Sequence, residues 1–184
     1  MGLINSFRES RRNADASISL YIAAVEHARS PIFFLDFGVP DSVDGRFDLV
    51  IVHVMLLVRR LRQQGKAAAD VCQALLNLMF ADMDRNLREM GVGDLSVGRQ
   101  VKKMAKAFYG RAETWEQALD QDIEMVTSAL AETVYRSVEV PSEPISSLAS
   151  YVIAADKYLA DLSTDTMISG EVEFPVPKPQ NSSS

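Results

Sequence analysis

The stretch FADMDRNLREMGVGD, residues 80–94, places oxygen-bearing side chains at alternate positions: Asp82, Asp84 and Asn86. An EF-hand calcium loop begins with the same alternation, because carboxylate and amide oxygens are the ligands that Ca²⁺ prefers. The first chemical question raised by this sequence is therefore whether it holds a metal ion.

Two features of this stretch exclude a calcium loop. An EF-hand loop needs glycine at its sixth position and a bidentate glutamate at its twelfth, and counting from Asp82 these positions hold Leu87 and Gly93. In a helix, Asp82 and Asp84 would also project about 200° apart, too far to share one ion. We therefore predict no metal site here.

The charges of the same stretch are better explained as a helix surface. Opposite charges recur three or four residues apart, a spacing at which each pair stabilises a helix by ~0.2 to 0.5 kcal/mol. The predicted pairs are Asp82 with Arg85, Asp84 with Arg88, and Arg85 with Glu89.

Residues suited to catalysis are few. Of two histidines, His53 lies within the apolar run LVIVHVMLLV and His27 ends a short helical pattern, and neither has a paired nucleophile in the sequence. The single cysteine, Cys72, excludes an intrachain disulfide. We predict a protein that is not an enzyme and needs no cofactor. The alternative is a small-ligand carrier that uses His53 and Asp48 in a closed pocket.

The elements that must position these residues are helices. We predict one all-α domain of about six helices, from apolar residues recurring at three, four and seven positions. The helices cover residues 18–28, about 46–64, 66–90, a segment from Asp94 or Ser96 through Phe108, about 113–137, and 145–162. Residues 47–58 are apolar on nearly every side, which predicts a buried central helix.

The domain boundaries follow from composition. We expect a basic flexible N-terminus over residues 1–16, the helical domain over 17–174, and a disordered tail over 175–184. Within the domain, Gly91 is placed to end one helix in a left-handed cap, so that GVGD forms a tight corner.

Methionines gather around that corner: Met79, Met83, Met90 and Met104. Flexible thioether side chains can repack around different apolar partners, as an adaptable binding surface requires. The alternative is that these residues simply fill the inner face of a helix.

A cationic helix face follows the corner, in RQVKKMAKAFYGR, residues 99–111. Interleaved basic and aromatic residues can bind nucleic acid, but the chain has a net charge of −6, which argues against it. The remaining interpretations are a solvated helix face, or a contact with anionic lipid headgroups or an acidic partner.

The charge of the chain is unevenly distributed, since residues 1–112 carry 16 basic and 12 acidic groups and residues 113–184 carry 3 and 13. We expect the two halves to complement each other.

Several blocks, in order, resemble the ubiquinol-cytochrome c chaperone family. They are FFLDFGVPDSVDGRFD, HVMLLVRRLRQQG, MFADMDRNLREMGVGDLSVG, VKKMAKAFYGR and SGEVEF. The resemblance runs from about Ile18 to Phe174, and the intact VPDSVDGRFD block is similar to alphaproteobacterial members.

The resemblance implies an all-helical, non-enzymatic assembly factor that binds newly made cytochrome b or other subunits of the cytochrome bc1 complex. It also implies a cytoplasmic protein, peripheral on the inner membrane, or on the matrix side in a mitochondrion. Mitochondrial members act with a small partner subunit, and for this chain such a subunit and a homo-oligomer both stay open.

A chaperone for a membrane protein needs an apolar groove with a polar rim. We therefore predict a client-binding set at the corner: Met79, Asp82, Met83, Arg85, Glu89, Met90, Lys102, Phe108, Tyr109 and Arg111. The segment GEVEF alternates acids with Val172 and Phe174, which predicts a strand or an extended segment laid along a groove, covering the protein's own surface or displaced by a client.

Overall fold

The structure is a computed structural model that describes residues 2–178, and all of its regular elements within that range are helices. The prediction of an all-α fold is confirmed. The helices are α1 (Gly2–Ala28), α2 (Ile32–Leu35), α3 (Val43–Arg62), α4 (Lys66–Glu89), α5 (Asp94–Leu119), α6 (Ile123–Thr133), α7 (Ser142–Asp161) and α8 (Thr164–Ser169). Part of the predicted disordered tail, residues 179–184, lies outside the described residues.

Helix α1 begins at Gly2, so the prediction that the first helix starts at Ile18 is wrong. Ala16, Leu20, Ala24 and Ala28 are buried at intervals of four, which docks the second half of the helix on the core. Residues 7–12 are all exposed but continue the helix. Sequence patterning could not find these turns because they bury no apolar face.

The connection between α1 and α3 is a packed turn. Phe33 and Phe37 are fully buried, and the Ser42 side chain caps α3 by accepting the Gly45 N–H at 3.1 Å. A Cβ atom on Gly45 would lie 2.1 Å from the Pro40 carbonyl oxygen, so no larger residue fits there. Gly45 of the block VPDSVDGRFD is therefore needed because the backbone at Pro40 approaches it too closely for a side chain.

Helix α3 is the buried central helix that the sequence predicted. Twelve of its residues are buried, and it contacts α1, α4, α5 and α7. Its last turn carries Arg59, Arg60 and Arg62, where cations interact favourably with the helix dipole. Among the described residues, no helix is both long and apolar enough to cross a bilayer.

Helices α5 and α6 divide the chain differently from the prediction. Helix α5 continues through Gly110 to Leu119, and the break comes at Asp122, whose side chain accepts the Met125 N–H at 2.9 Å and caps α6. The predicted helix over about residues 113–137 is therefore wrong. The Asp122 side chain caps the start of α6, whereas Gly110 is tolerated in the middle of α5.

Helix α7 packs beside α3 with its chain running in the same direction, since His53 meets Tyr151 and Arg59 meets Asp156. The short α8, which the sequence analysis missed, follows with Met167 fully buried. Residues 171–178 then continue without regular structure.

Candidate partner-binding surface

The corner between α4 and α5 is built as predicted. Gly91 has φ of +82°, its N–H donates to the Arg88 carbonyl at 3.0 Å, and the Val92 N–H donates to the Leu87 carbonyl at 3.0 Å. These two bonds close the helix end in a left-handed glycine cap. The Arg88 side chain also bonds Asp94 across the corner, which ties the two helices together.

Two of the three predicted ion pairs on α4 are present. Asp82 accepts from Arg85 at 2.8 Å, and Asp84 accepts from Arg88 at 2.6 Å. Between Arg85 and Glu89 no ion pair is found in the described part of the chain. The carboxylates that resembled calcium ligands are thus paired with arginines of their own helix.

Asp82 has a further partner that sequence reasoning missed. The Tyr21 hydroxyl of α1 donates to an Asp82 carboxylate oxygen at 2.9 Å. Burial and the adjacent Asp82 raise the pKa of Tyr21 above its usual value. The bond joins residues 61 apart, and no local signal in the sequence predicted it.

The predicted methionine groove is wrong as an open surface. Met79 and Phe108 are fully buried and Met83 is 2% exposed, because α1 packs against α4 and covers its apolar stripe. Met90 and Tyr109 remain exposed, at 59% and 44%. Three residues of the predicted set therefore belong to the core and support the surface from beneath.

An exposed stripe of apolar and cationic residues runs along α5 from the corner. Leu95 is 94% exposed and Tyr109 44%, and Arg99, Lys102 and Lys106 between them are also exposed. At 3.6 residues per turn these five positions lie within about 80° of one another. We call this stripe, an apolar residue at each end with cations between, the α5 face.

Arg111 does not line a rim with the other residues of the predicted set. Its guanidinium donates to the Asp48 carboxylate at 3.2 Å, and Arg136 donates to the other carboxylate oxygen. The Asp48 side chain is only 4% exposed. Burial raises the pKa of Asp48, and the two arginines oppose that shift. The arrangement is a structural link between α3, α5 and the end of α6.

His53 is a hydrogen-bonded core residue. Its Nδ1 lies 2.7 Å from the Leu49 carbonyl oxygen, so Nδ1–H donates, and Nε2 then accepts from the Tyr151 hydroxyl at 2.9 Å. Burial lowers the pKa of His53 to about 3, which keeps the ring neutral. Asp48 binds arginines while His53 binds Tyr151, so the structure does not bring these two into the closed pocket of the ligand-carrier alternative.

The C-terminal segment covers these aromatic residues. Val172 and Phe174 are buried, at 5% and 8% exposed, while Glu171 and Glu173 face solvent. The predicted alternation of exposed and buried side chains is confirmed for these four residues. The Phe174 ring lies 4.9 Å from the His53 ring and 5.3 Å from the His27 ring, between centroids.

Comparison with known proteins adds to this geometry. The chain is 26% identical over 161 residues to ubiquinol-cytochrome c reductase complex assembly factor 1 of Homo sapiens, covering 86% of this chain and 54% of that protein. The Mus musculus protein of that name is 24% identical over 160 residues, with the same coverage of both chains. The chain thus spans about half the length of both mammalian relatives.

A solved structure matches nearly the whole fold. The crystal structure of the Cbp3 homolog from Brucella abortus superposes with a TM-score of 0.86 at 29% identity, covering 96% of this chain and 97% of that one. Residues 35–174, from the end of α2 through Phe174, match the family described as ubiquinol-cytochrome C chaperone. With most of its length matched and its fold shared, this chain belongs to the ubiquinol-cytochrome C chaperone family.

Proposed function

We propose that this protein is a non-enzymatic assembly chaperone that binds newly made cytochrome b and supports assembly of the ubiquinol-cytochrome c reductase complex. Family membership over residues 35–174 supports the proposal, together with relatives named as assembly factors of that complex. The α5 face is the observation that carries the mechanism, because it offers an unpartnered mixed surface beside the corner.

The proposed surface combines apolar contact with charge. Met90, Leu95 and Tyr109 supply exposed apolar side chains, which are costly to leave in water and suit a partner's apolar segment. Lys102 lies between Leu95 and Tyr109 and can interact with acidic residues or lipid headgroups next to that segment. Leu95, Lys102 and Tyr109 are held on one helix, α5, so these three groups reach the partner together.

Asp82, Arg85 and Glu89 on α4 are proposed as the polar side of the same surface. Arg85 and Glu89 are exposed, whereas both carboxylate oxygens of Asp82 are engaged, so Asp82 contributes by holding Arg85 in place. Charged rims set association rate and specificity more than affinity. Arg111 is not part of this surface, because it is bound to Asp48.

Charge reversal tests this surface. We expect Arg85→Glu with Lys102→Glu to lower cytochrome b capture from native membranes by about 10-fold, since two attractive contacts become repulsive. Capture would be measured with tagged full-length protein and quantified against total bc1 components. Helical circular dichroism should be unchanged, because both residues are exposed.

Lys157→Glu provides the matched control, since it reverses an exposed lysine of α7 away from the corner. It should capture cytochrome b as the wild type does. Equal capture by the double variant and by Lys157→Glu would reject the α5 face. Reproducible absence of bc1 components from the wild-type capture would reject the proposed function itself.

The exposed cations of α5 favour a second function, contact with an anionic lipid surface. Arg99, Lys102, Lys103 and Lys106 are all exposed on α5, and clustered basic residues bind anionic lipid surfaces in a salt-dependent manner. Salt-sensitive binding to phosphatidylserine vesicles, lost on charge reversal and absent for phosphatidylcholine, would support peripheral membrane contact. Salt-sensitive binding to RNA without any protein partner would instead support a nucleic-acid module.

A further inference from the structure

The C-terminal residues 171–177, here called the C-terminal strap, fill a cleft with an aromatic floor. The floor consists of four rings from four different helices: His27 of α1, Phe33 of α2, His53 of α3 and Tyr151 of α7. Phe33 lies 5.2 Å from Tyr151 and 5.5 Å from His53, between ring centroids, so the floor is continuous. Phe174 of the strap packs edge-on against His53 at 85°.

Side-chain packing alone holds the strap. In the described part of the chain, residues 171–177 make no hydrogen bond and no ion pair with the body, although Val172, Phe174 and Pro177 are buried. Helices in the same body are held by complete backbone hydrogen bonding as well as packing. The strap can therefore leave without breaking any polar contact.

Prolines in the strap favour an extended backbone. Proline fixes φ near −65° and lacks an N–H, and Pro175 and Pro177 follow Phe174 closely. Such a segment favours extended conformations and loses little entropy on docking. A segment bound in this way is recognised through alternate buried side chains and not through backbone hydrogen bonds.

The floor contains a polar atom that the strap leaves unsatisfied. His27 Nε2 is buried and has no hydrogen-bond partner among the described residues. A buried nitrogen without a partner costs free energy, so an occupant that forms a hydrogen bond with it would fit better than the strap does. The strap therefore fills the apolar part of the cleft but leaves His27 Nε2 without a hydrogen-bond partner.

We propose that this cleft is a binding site for an extended segment of a partner polypeptide, with an aliphatic residue followed two positions later by an aromatic one. The strap is its intramolecular occupant and is displaced when the partner segment binds. A hydroxyl or amide group beside the aromatic residue would form a hydrogen bond with His27 Nε2, as donor or acceptor according to the tautomer of the ring. This site is separate from the α5 face and does not depend on which protein is the client.

Because the strap is covalently attached, it competes strongly with any free peptide for the cleft. A segment joined by a short linker is present at an effective concentration in the millimolar range, so a free peptide at about 100 μM cannot displace it from wild-type protein. Removing the Phe174 ring should weaken the strap by at least about 100-fold, because a large buried side chain is lost. A free peptide with the intact ring then has the advantage.

The experiment uses the full chain carrying Phe174→Ala and a labelled peptide with the sequence GEVEFPVPK, residues 170–178. We expect fluorescence anisotropy to show one-to-one binding to the variant and at least about 10-fold weaker binding to the wild type. Val176→Ala is the matched control, since Val176 lies in the strap but is 76% exposed. It should behave as the wild type does.

The two histidines give a readout of location, because the chain contains only His27 and His53. Their imidazole NMR signals should move in Phe174→Ala and return toward wild-type positions when the peptide binds. A peptide in which alanine replaces the phenylalanine should do neither. Phe174→Leu, which keeps part of the apolar volume, takes the place of Phe174→Ala if the latter fails to fold.

Two results would overturn the proposal. One is a folded Phe174 variant that binds no peptide at about 1 mM, the range in which a tethered segment acts. The other is peptide binding without any change at the histidine signals, which would place the peptide elsewhere. Neither result bears on cytochrome b capture, so the two proposals fail independently.

Discussion

At the scale of single residues, His53 illustrates how burial decides chemistry. Its ring is fully buried and both of its nitrogens have hydrogen-bond partners. Ionisation would require a proton at Nε2, where Tyr151 donates, inside a medium that solvates charge poorly. The residue that looked most like a catalytic candidate in the sequence is therefore held neutral.

This burial predicts acid sensitivity. Below pH 6.5 an unfolded chain protonates its imidazole, while the folded His53, with its pKa lowered to about 3, stays neutral. The unfolded state then binds more protons, so stability falls as pH decreases between these values, by about 2 kcal/mol from pH 8 to pH 5. Burial lowers the pKa of His27 too, which acts in the same direction.

Urea unfolding of wild type and His53→Gln at pH 8 and pH 5 would measure the effect. Glutamine can donate and accept hydrogen bonds but does not titrate. The free energy of unfolding of the wild type, relative to that of His53→Gln, should therefore fall by about 2 kcal/mol between pH 8 and pH 5. The buried Asp48 and the half-buried Asp156 have pKa values raised by burial, and their titration affects both proteins equally and cancels in the difference. An unchanged difference between the two proteins would contradict a buried neutral His53.

At the scale of elements, α4 and α5 carry a buried stripe and an exposed one side by side. Phe108 is fully buried, whereas its neighbour Tyr109 is 44% exposed although the two rings lie 5.5 Å apart. Both contact Phe80 of α4. Two adjacent positions of α5, about 100° apart around the helix, thus carry a residue that holds α4 and α5 together and one that is available to a partner.

Paired alanine substitutions separate these roles. Phe108→Ala should lower the free energy of unfolding by about 3 to 5 kcal/mol, because it leaves a cavity in the core. Tyr109→Ala should cost less than about 1 kcal/mol and, if the α5 face binds the client, should still weaken capture. Chemical denaturation measures the first effect and pull-down the second. Equal stability losses would mean that Tyr109 is part of the core.

At the scale of the whole molecule, the acidic C-terminal part complements the basic part before it. Arg59 of α3 donates to Asp156 of α7 at 3.1 Å and to Asp120 after α5 at 2.5 Å. Arg62 pairs with Glu116 of α5 at 2.8 Å. The expectation that the two halves complement each other is met at the end of the central helix.

Arg59→Met tests this link, because it keeps much of the apolar stem and removes the charge. The side chain is only 15% exposed, so its loss should cost about 2 kcal/mol and leave Asp156 without its cation. Arg46→Met is the control, since Arg46 is 52% exposed in its pair with Asp41, and such pairs contribute below about 1 kcal/mol. Thermal unfolding of both variants in low salt would compare them. Similar losses would contradict the proposed link.

Much of this fold could be predicted because its signals are local. The apolar residues of α3 on every side specified a central helix, and Gly91 specified the corner through its left-handed backbone. The alternation in GEVEF predicted which side chains of the strap are buried. Each of these depends on neighbours within a few residues, where helix and strand periods act directly.

The sequence by itself therefore determined the helical class, the central helix, the corner and the family. Only the tertiary structure decided that α1 buries Met79 and Met83, that Asp48 binds Arg111, and that the strap covers His27 and His53. The physical reason is that periodicity shows which face of a helix is apolar but not which other element covers it. A stripe looks the same in sequence whether a neighbouring helix or a partner protein packs against it.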